Sequence, residues 1–171
     1  VVDNNSKNNE GIKYLKKKNI EIIEMKKNKG FSTAVNKGVK ALSKMDYILL
    51  LNFDIILKKH AVKEMLKVFD KKSKIAGIAP KIYLYDYPEN FDSVGTLIHP
   101  GLIAANRGIG QPDIGQFDNS EPVFGSCFGC TLLSVKALKT IEKSGIRPTK
   151  QRRILAKILF DKNLMFNKLP I

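Results

Sequence analysis

Apolar residues recur along this chain with helical spacing in some stretches and as short strand-like runs in others. Ile12 and Leu15, flanked by lysines, predict a short amphipathic helix that ends near Lys18-Asn19. Ile20 to Met25 then reads as a strand. Ser32 is placed to cap a helix whose apolar positions are Ala34, Val35, Val39, Ala41 and Leu42. The run Tyr47-Ile48-Leu49-Leu50-Leu51 predicts a strand buried on both faces. A further amphipathic helix is predicted over 58–69, with Ala61, Met65, Leu66 and Phe69 inward, and Ile75 to Ala79 gives the next strand. Val1-Val2-Asp3 reads as the end of a strand already under way, which predicts residues upstream.

Strands alternating with helices at this spacing predict an α/β fold: an open, mostly parallel sheet flanked by helices and joined by right-handed crossovers. Ligands of such sheets lie at the carboxyl ends of the strands. Three places meet that description: Asp3-Asn4-Asn5-Ser6, the stretch Lys26 to Ser32, and Asn52-Phe53-Asp54. From Tyr85 to Pro122 the chain turns rich in Gly, Pro, Asp and Asn, predicting one long irregular segment of the kind that carries function. Regular structure is expected again over Val123 to Leu133, with a helix from about Ser134.

Length and composition fit this picture: 171 residues at 43% hydrophobic content suffice for one domain with a core. No apolar run approaches the roughly 20 residues needed to cross a bilayer, and no signal segment opens the chain. The chain is expected in the cytoplasm, at the inner face of a membrane. Cys127 and Cys130 form a lone C-x-x-C, which reads as two reduced, buried thiols, since no second cysteine pair completes a metal site. The net charge of +14 invites three partners: nucleic acid, an anionic membrane surface or an anionic substrate. Lysines spread over helix faces without interleaved aromatics argue against nucleic acid and leave peripheral membrane contact as the better surface role.

The three strand ends differ in chemistry. Asp3 heads a cluster of short polar side chains suited to a base or ribose edge, although on spacing alone an ordinary Asx-turn is the simpler reading. Asn28-Lys29-Gly30-Phe31, followed by Asn36-Lys37-Gly38, puts a glycine turn before a helix N-terminus, where backbone amides favour anions or simply link strand to helix. Asp54 follows the most apolar strand, and a hard cation bridging to a diphosphate requires oxygen ligands of its kind.

Taken in order, these pieces resemble the family 2 glycosyltransferases, of GT-A fold. The resemblance is carried by Val1 to Ser6, by Asn28-x-Gly30-Phe31 with Asn36-x-Gly38, and by Leu50-Leu51-Asn52-Phe53-Asp54. It continues through Arg107-Gly108-Ile109-Gly110-Gln111, then Asp113-Ile114-Gly115-Gln116-Phe117-Asp118, then Phe124-Gly125-Ser126-Cys127, and looks like the rhamnosyltransferase-like branch. It covers about residues 1–141 as one partial domain and leaves 142–171 as a divergent basic tail.

The resemblance implies that Asp3 contacts the nucleotide base, with Asn4 in the same cluster, and that Asn28, Gly30 and Asn36 line the nucleotide site. Asn52 and Asp54 would stand in for the family's Asp-x-Asp, making Asp54 the ligand of Mg²⁺ or Mn²⁺. The implied activity is inverting transfer of a sugar from a nucleoside-diphosphate donor, dTDP- or UDP-linked, to a glycan or lipid-linked acceptor in polysaccharide biosynthesis. Two departures stand out. The family's first strand is missing, and so is its Gly-x-Phe-Asp-Glu segment with the Glu-Asp pair that supplies the base, so no catalytic residue is assigned. Leu159 to Phe166 only faintly matches it, and Lys150 to Leu159 is either inserted sequence or a basic membrane-docking helix. The expectation is a fragment truncated at both ends, with a non-catalytic remnant or a basic surface-binding module as the alternative.

Overall fold

The computed structural model describes residues 1–71, 75–99, 103–143 and 165–169. The first half alternates strand and helix as expected: β1 (Val2–Asp3), α1 (Glu10–Lys17), β2 (Ile23–Glu24), α2 (Phe31–Ala41), β3 (Tyr47–Leu51), α3 (Ala61–Lys71) and β4 (Ile75–Pro80). There follow β5 (Ile82–Tyr83), β6 (Phe91–Ser93), β7 (Thr96–His99), β8 (Ile103–Asn106), β9 (Pro122–Val123), β10 (Cys130–Ser134), α4 (Val135–Lys143) and β11 (Met165–Leu169).

The strands do not form one open, mostly parallel sheet. β1 and β2 pair in parallel as a separate two-stranded sheet, with Val2 opposite Ile23 and Asp3 opposite Glu24. The main sheet has the order β3-β10-β4-β11-β9, and only its β4–β11 pair is parallel. The physical reason lies in β10, which returns after the long middle segment and inserts, antiparallel to both, between β3 and β4. Such a pairing is non-local, and helical or alternating periodicity carries no trace of it. β11 comes from the stretch set apart above as a basic tail, yet it pairs with β4. The basic stretch 150–159 lies outside the described residues.

The core forms where α3 crosses this sheet. Met65 and Val68 lie one turn apart on α3 and meet Ile75, Ile78, Cys130 and Leu132 from β4 and β10. Met65 and Ile78 are fully enclosed, and burial of each such side chain contributes about 1.5–3 kcal/mol. All six positions of β4 are buried, as expected of a strand with neighbours on both sides. β3 is different: Ile48 is buried, but Tyr47 and Leu51 are exposed, because among the described residues β10 is its only strand partner. The expectation of a strand buried on both faces is thereby corrected.

The first 46 residues pack more lightly. Met25 is their one buried hydrophobic side chain, and neither α1 nor α2 buries a residue fully. α2 lies on β1 through Gly38, where an added Cβ would come within 3.1 Å of Val2 Cγ2. The segment over 85–122, expected to be irregular, instead contains β6 and the β7–β8 hairpin and closes over a fully buried Phe91 and Val94.

Candidate functional site

Side-chain hydrogen bonds, rather than a core, shape the ends of β1 and β2. The Asp3 carboxylate accepts from the Asn5 and Ser6 backbone amides and, at 2.5 Å, from the Ser6 hydroxyl. The Ser6 hydroxyl holds the Asp3 carboxyl below its ordinary value. This is the turn geometry that the simpler reading of Asp3 anticipated, and it commits the carboxylate to its own loop. Asn5 takes a left-handed backbone within it (φ 68°).

Asn4 reaches across to the next strand end. Its amide nitrogen donates to Asn28 Oδ1 at 3.0 Å, and its Oδ1 accepts from the Lys29 amide, also at 3.0 Å. Asn28 Oδ1 accepts in addition from the Gly30 amide at 3.0 Å. Four of the seven residues singled out from sequence, Asp3, Asn4, Asn28 and Gly30, are thus brought together. Gly30, not Ser32, precedes the first turn of α2. Its φ of +81° is what demands glycine, since an added Cβ would meet nothing within 4 Å. Asn36 follows within α2, half-buried.

Asn52 and Asp54 stand apart, on the loop that leaves β3 in the other sheet. The Asn52 amide donates to the Gly129 carbonyl at 2.9 Å, while Ile55 and Leu57 pack against the core. Phe53 and Asp54 are consequently turned outward and exposed. Among the described residues the Asp54 carboxylate has no hydrogen-bond or ion-pair partner. No cluster of three or more His, Cys, Asp or Glu among the described residues forms a ready cation cage. No hydrogen bond joins Asp54 to Asp3, Asn4 or Asn28.

The loop backing Asn52 contains the C-x-x-C. Both cysteines are free, with Cys130 buried and Cys127 partly so. Burial and the adjacent Cys127 push the Cys130 thiol up to about 11. Burial thus keeps the Cys130 thiol protonated and unreactive.

Two features escaped the sequence reading. The first is a polar cluster around a buried lysine, Lys81, under the middle segment. Lys81 Nζ, almost wholly enclosed, contacts Asp113 at 3.0 Å and Asp118 at 2.5 Å, and the Tyr83 hydroxyl donates to Asp113 at 2.6 Å. Burial alone would lower the Lys81 pKa, but hydrogen bonds from its ammonium to Asp118 and Asp113 outweigh that and raise it. The Tyr83 hydroxyl bond, aided by Lys81, holds Asp113 down to about 2, while burial and Asp113 raise Tyr83. A lysine placed directly after the apolar run Ile75 to Pro80 was the available signal, because buried ammonium groups require partners.

The second is a cleft of about 540 Å³ at the end of β2, lined by Glu24, Met25, Lys26, Lys27, Lys29 and Lys37. Its signal was the density of lysines around one of the three strand ends.

A sequence profile described as "Glycosyl transferase family 2" matches residues 1–142, from β1 through nearly all of α4. No individually curated protein matches the chain.

Proposed function

The chain belongs to glycosyl transferase family 2, and from that premise we propose that Asp54 holds a divalent cation, Mg²⁺ or Mn²⁺, against the diphosphate of its donor. Membership makes this a glycosyltransferase domain of the GT-A α/β class, using a nucleotide-sugar donor and a glycan acceptor. The reading of the site rests on one observation: a lone, unpartnered carboxylate projects from a loop anchored by Ile55 and Leu57 at the carboxyl end of β3. A single carboxylate fits a cation that keeps several waters and takes its remaining oxygens from phosphate. Such a cation, when bound, neutralises the charge that develops on the departing diphosphate.

In the same reading Asn52 supports the Asp54 loop, while Asp3, Asn4, Asn28, Gly30 and Asn36 form the wall for the nucleoside. Asp3 contributes by fixing its turn and leaving backbone edges for the ligand, since its carboxylate is engaged by Ser6. The donor is a dTDP- or UDP-sugar of the rhamnosyltransferase-like branch, and the product is an inverted linkage on a polysaccharide or lipid-linked acceptor at the cytoplasmic membrane face. Calorimetric titration with UDP and dTDP, with and without Mn²⁺, tests the site. Binding is expected to require Mn²⁺ and to weaken at least about tenfold, or 1.4 kcal/mol, in Asp54→Ala. Equal affinity of variant and parent would overturn the assignment.

A further inference from the structure

We infer that Ser126 is a positioning residue for the Asp54 carboxylate: its buried hydroxyl shapes the turn over 126–130, and that turn holds the loop on which Asp54 stands. The inference rests on the reading of Asp54 as the cation ligand.

Ser126 is 3% exposed and Thr131 is wholly buried. Hydroxyls taken out of water require partners inside the protein. The Ser126 hydroxyl donates to the Cys130 carbonyl at 3.3 Å, accepts from the Phe128 amide at 3.3 Å, and lies 2.5 Å from Thr131 Oγ1. With the Ser126 proton on the Cys130 carbonyl, Thr131 is the donor in the last of these contacts. The one hydroxyl proton and both lone pairs of Ser126 are then engaged, and a single oxygen ties the middle of the turn to its end.

The turn closed in this way is strained. Phe128 takes a left-handed backbone, φ 63°, a region that residues other than glycine enter at a cost. Its amide is the one bonded to Ser126, so the hydroxyl secures the very residue that would otherwise relax.

What the strained turn presents is Gly129. The ladder between β3 and β10 ends with Leu51 opposite Cys130. Beyond it the Gly129 carbonyl accepts the Asn52 amide at 2.9 Å, a bond that extends the pairing into the Asp54 loop. Gly129 also lies against that loop past the carboxylate, since an added Cβ there would stand 3.5 Å from Ile55 Cδ1. The turn therefore meets the loop on both sides of Asp54, at Asn52 and at Ile55. Asp54 itself is exposed, so its position is set by these neighbours and not by packing of its own side chain.

A serine that only stabilised the fold would lower stability and leave the affinity of the folded protein unchanged, and the experiment is built on that difference. The full chain, Ser126→Ala and Gly108→Ala are titrated calorimetrically with UDP in Mn²⁺ under conditions where each is folded, and NMR follows hydrogen exchange at the Asn52 amide. Gly108→Ala is the control for lost stability, because it crowds Phe117 and Val94 instead of the turn. The expected result is UDP binding at least about tenfold weaker in Ser126→Ala, with faster exchange at Asn52, and parental binding in Gly108→Ala. Ser126→Ala binding within about twofold of the parent, or equal weakening in both variants, overturns the inference. If Ser126→Ala does not fold, exchange in the parent decides: amides of Phe128 and Asn52 governed by one hydroxyl are protected to the same degree, and a freely exchanging Asn52 amide overturns the inference. Failure of the two readings is distinguishable. A parent that does not bind UDP with Mn²⁺ overturns the Asp54 site and this inference with it, whereas a parent and a Ser126→Ala variant that bind alike overturn this inference alone.

Discussion

The first 46 residues and the segment from Lys81 to Ser126 are both rich in loop, yet they are held in opposite ways. In the first, short polar side chains bond to nearby backbone: Asp3 to its own turn, Asn28 to Gly30, and Asn4 across to Lys29. Only Met25 is buried there. In the second, a buried lysine and its two aspartates join strand to loop, and Phe91 packs between Tyr83, tilted at 5.1 Å, and Phe117, edge-on at 5.4 Å. The difference shows that loop shape can be set without a core, by local bonds whose outer surface stays open. Such a surface suits ligand contact, and the packed segment supplies rigidity elsewhere.

The largest expected effect comes from removing the buried cation. Lys81→Met leaves Asp113 and Asp118 facing an apolar side chain and should cost about 3 kcal/mol, the lower end for a broken buried pair because Asp118 is 61% exposed and can rehydrate. Urea unfolding measures it, and NMR shifts of residues 1–46 should remain unchanged. Shifts spreading evenly through both regions would break the contrast.

Next in size is Gly108→Ala. Gly108 has φ +76°, and an added Cβ would lie 2.8 Å from the Phe117 ring and 3.0 Å from Val94 Cγ2. Backbone strain and overpacking together predict a loss of about 2–3 kcal/mol, read from the same unfolding curves.

Acid gives the smallest effect. Asp113, held at about 2 against an ordinary 3.8, binds its proton more weakly in the folded chain than in the unfolded one. Its contribution is therefore complete above about pH 4 and disappears as pH falls towards 2, a loss of about 1–2 kcal/mol after discounting for its 21% side-chain exposure. Lys81 acts with the opposite sign: its contribution is complete below its ordinary 10.5 and lost only as pH rises past its raised folded value. Stability of Asp113→Asn should approach that of the parent chain between pH 4 and 2. A gap that stays constant with pH would mean the carboxylate charge is not what holds the loop.

Much of the geometry at these strand ends was readable in advance because its signals are local. The turn at Asp3, the glycine at position 30 and the end of β3 at Asn52 each follow from a few consecutive residues. Ser32 misled because a serine one residue inside the helix looks, in sequence, like one at its boundary. The strand order was out of reach, since it depends on β10 entering between β3 and β4. Lys81 was passed over as one lysine among many. Only its place after six apolar residues distinguished it, and its partners lie more than thirty positions away.

The placement of β10 also governs when the sheet can exist. β3 has β10 as its sole described neighbour, and Leu51 meets Cys130 roughly eighty residues later in the chain. At a synthesis rate of about 5–20 residues per second, β3 leaves the ribosome several seconds before any partner is available to it. Closing so long a loop costs entropy before the ladder returns it, so β3, at the edge of the main sheet, stays unpaired until β10 has been made.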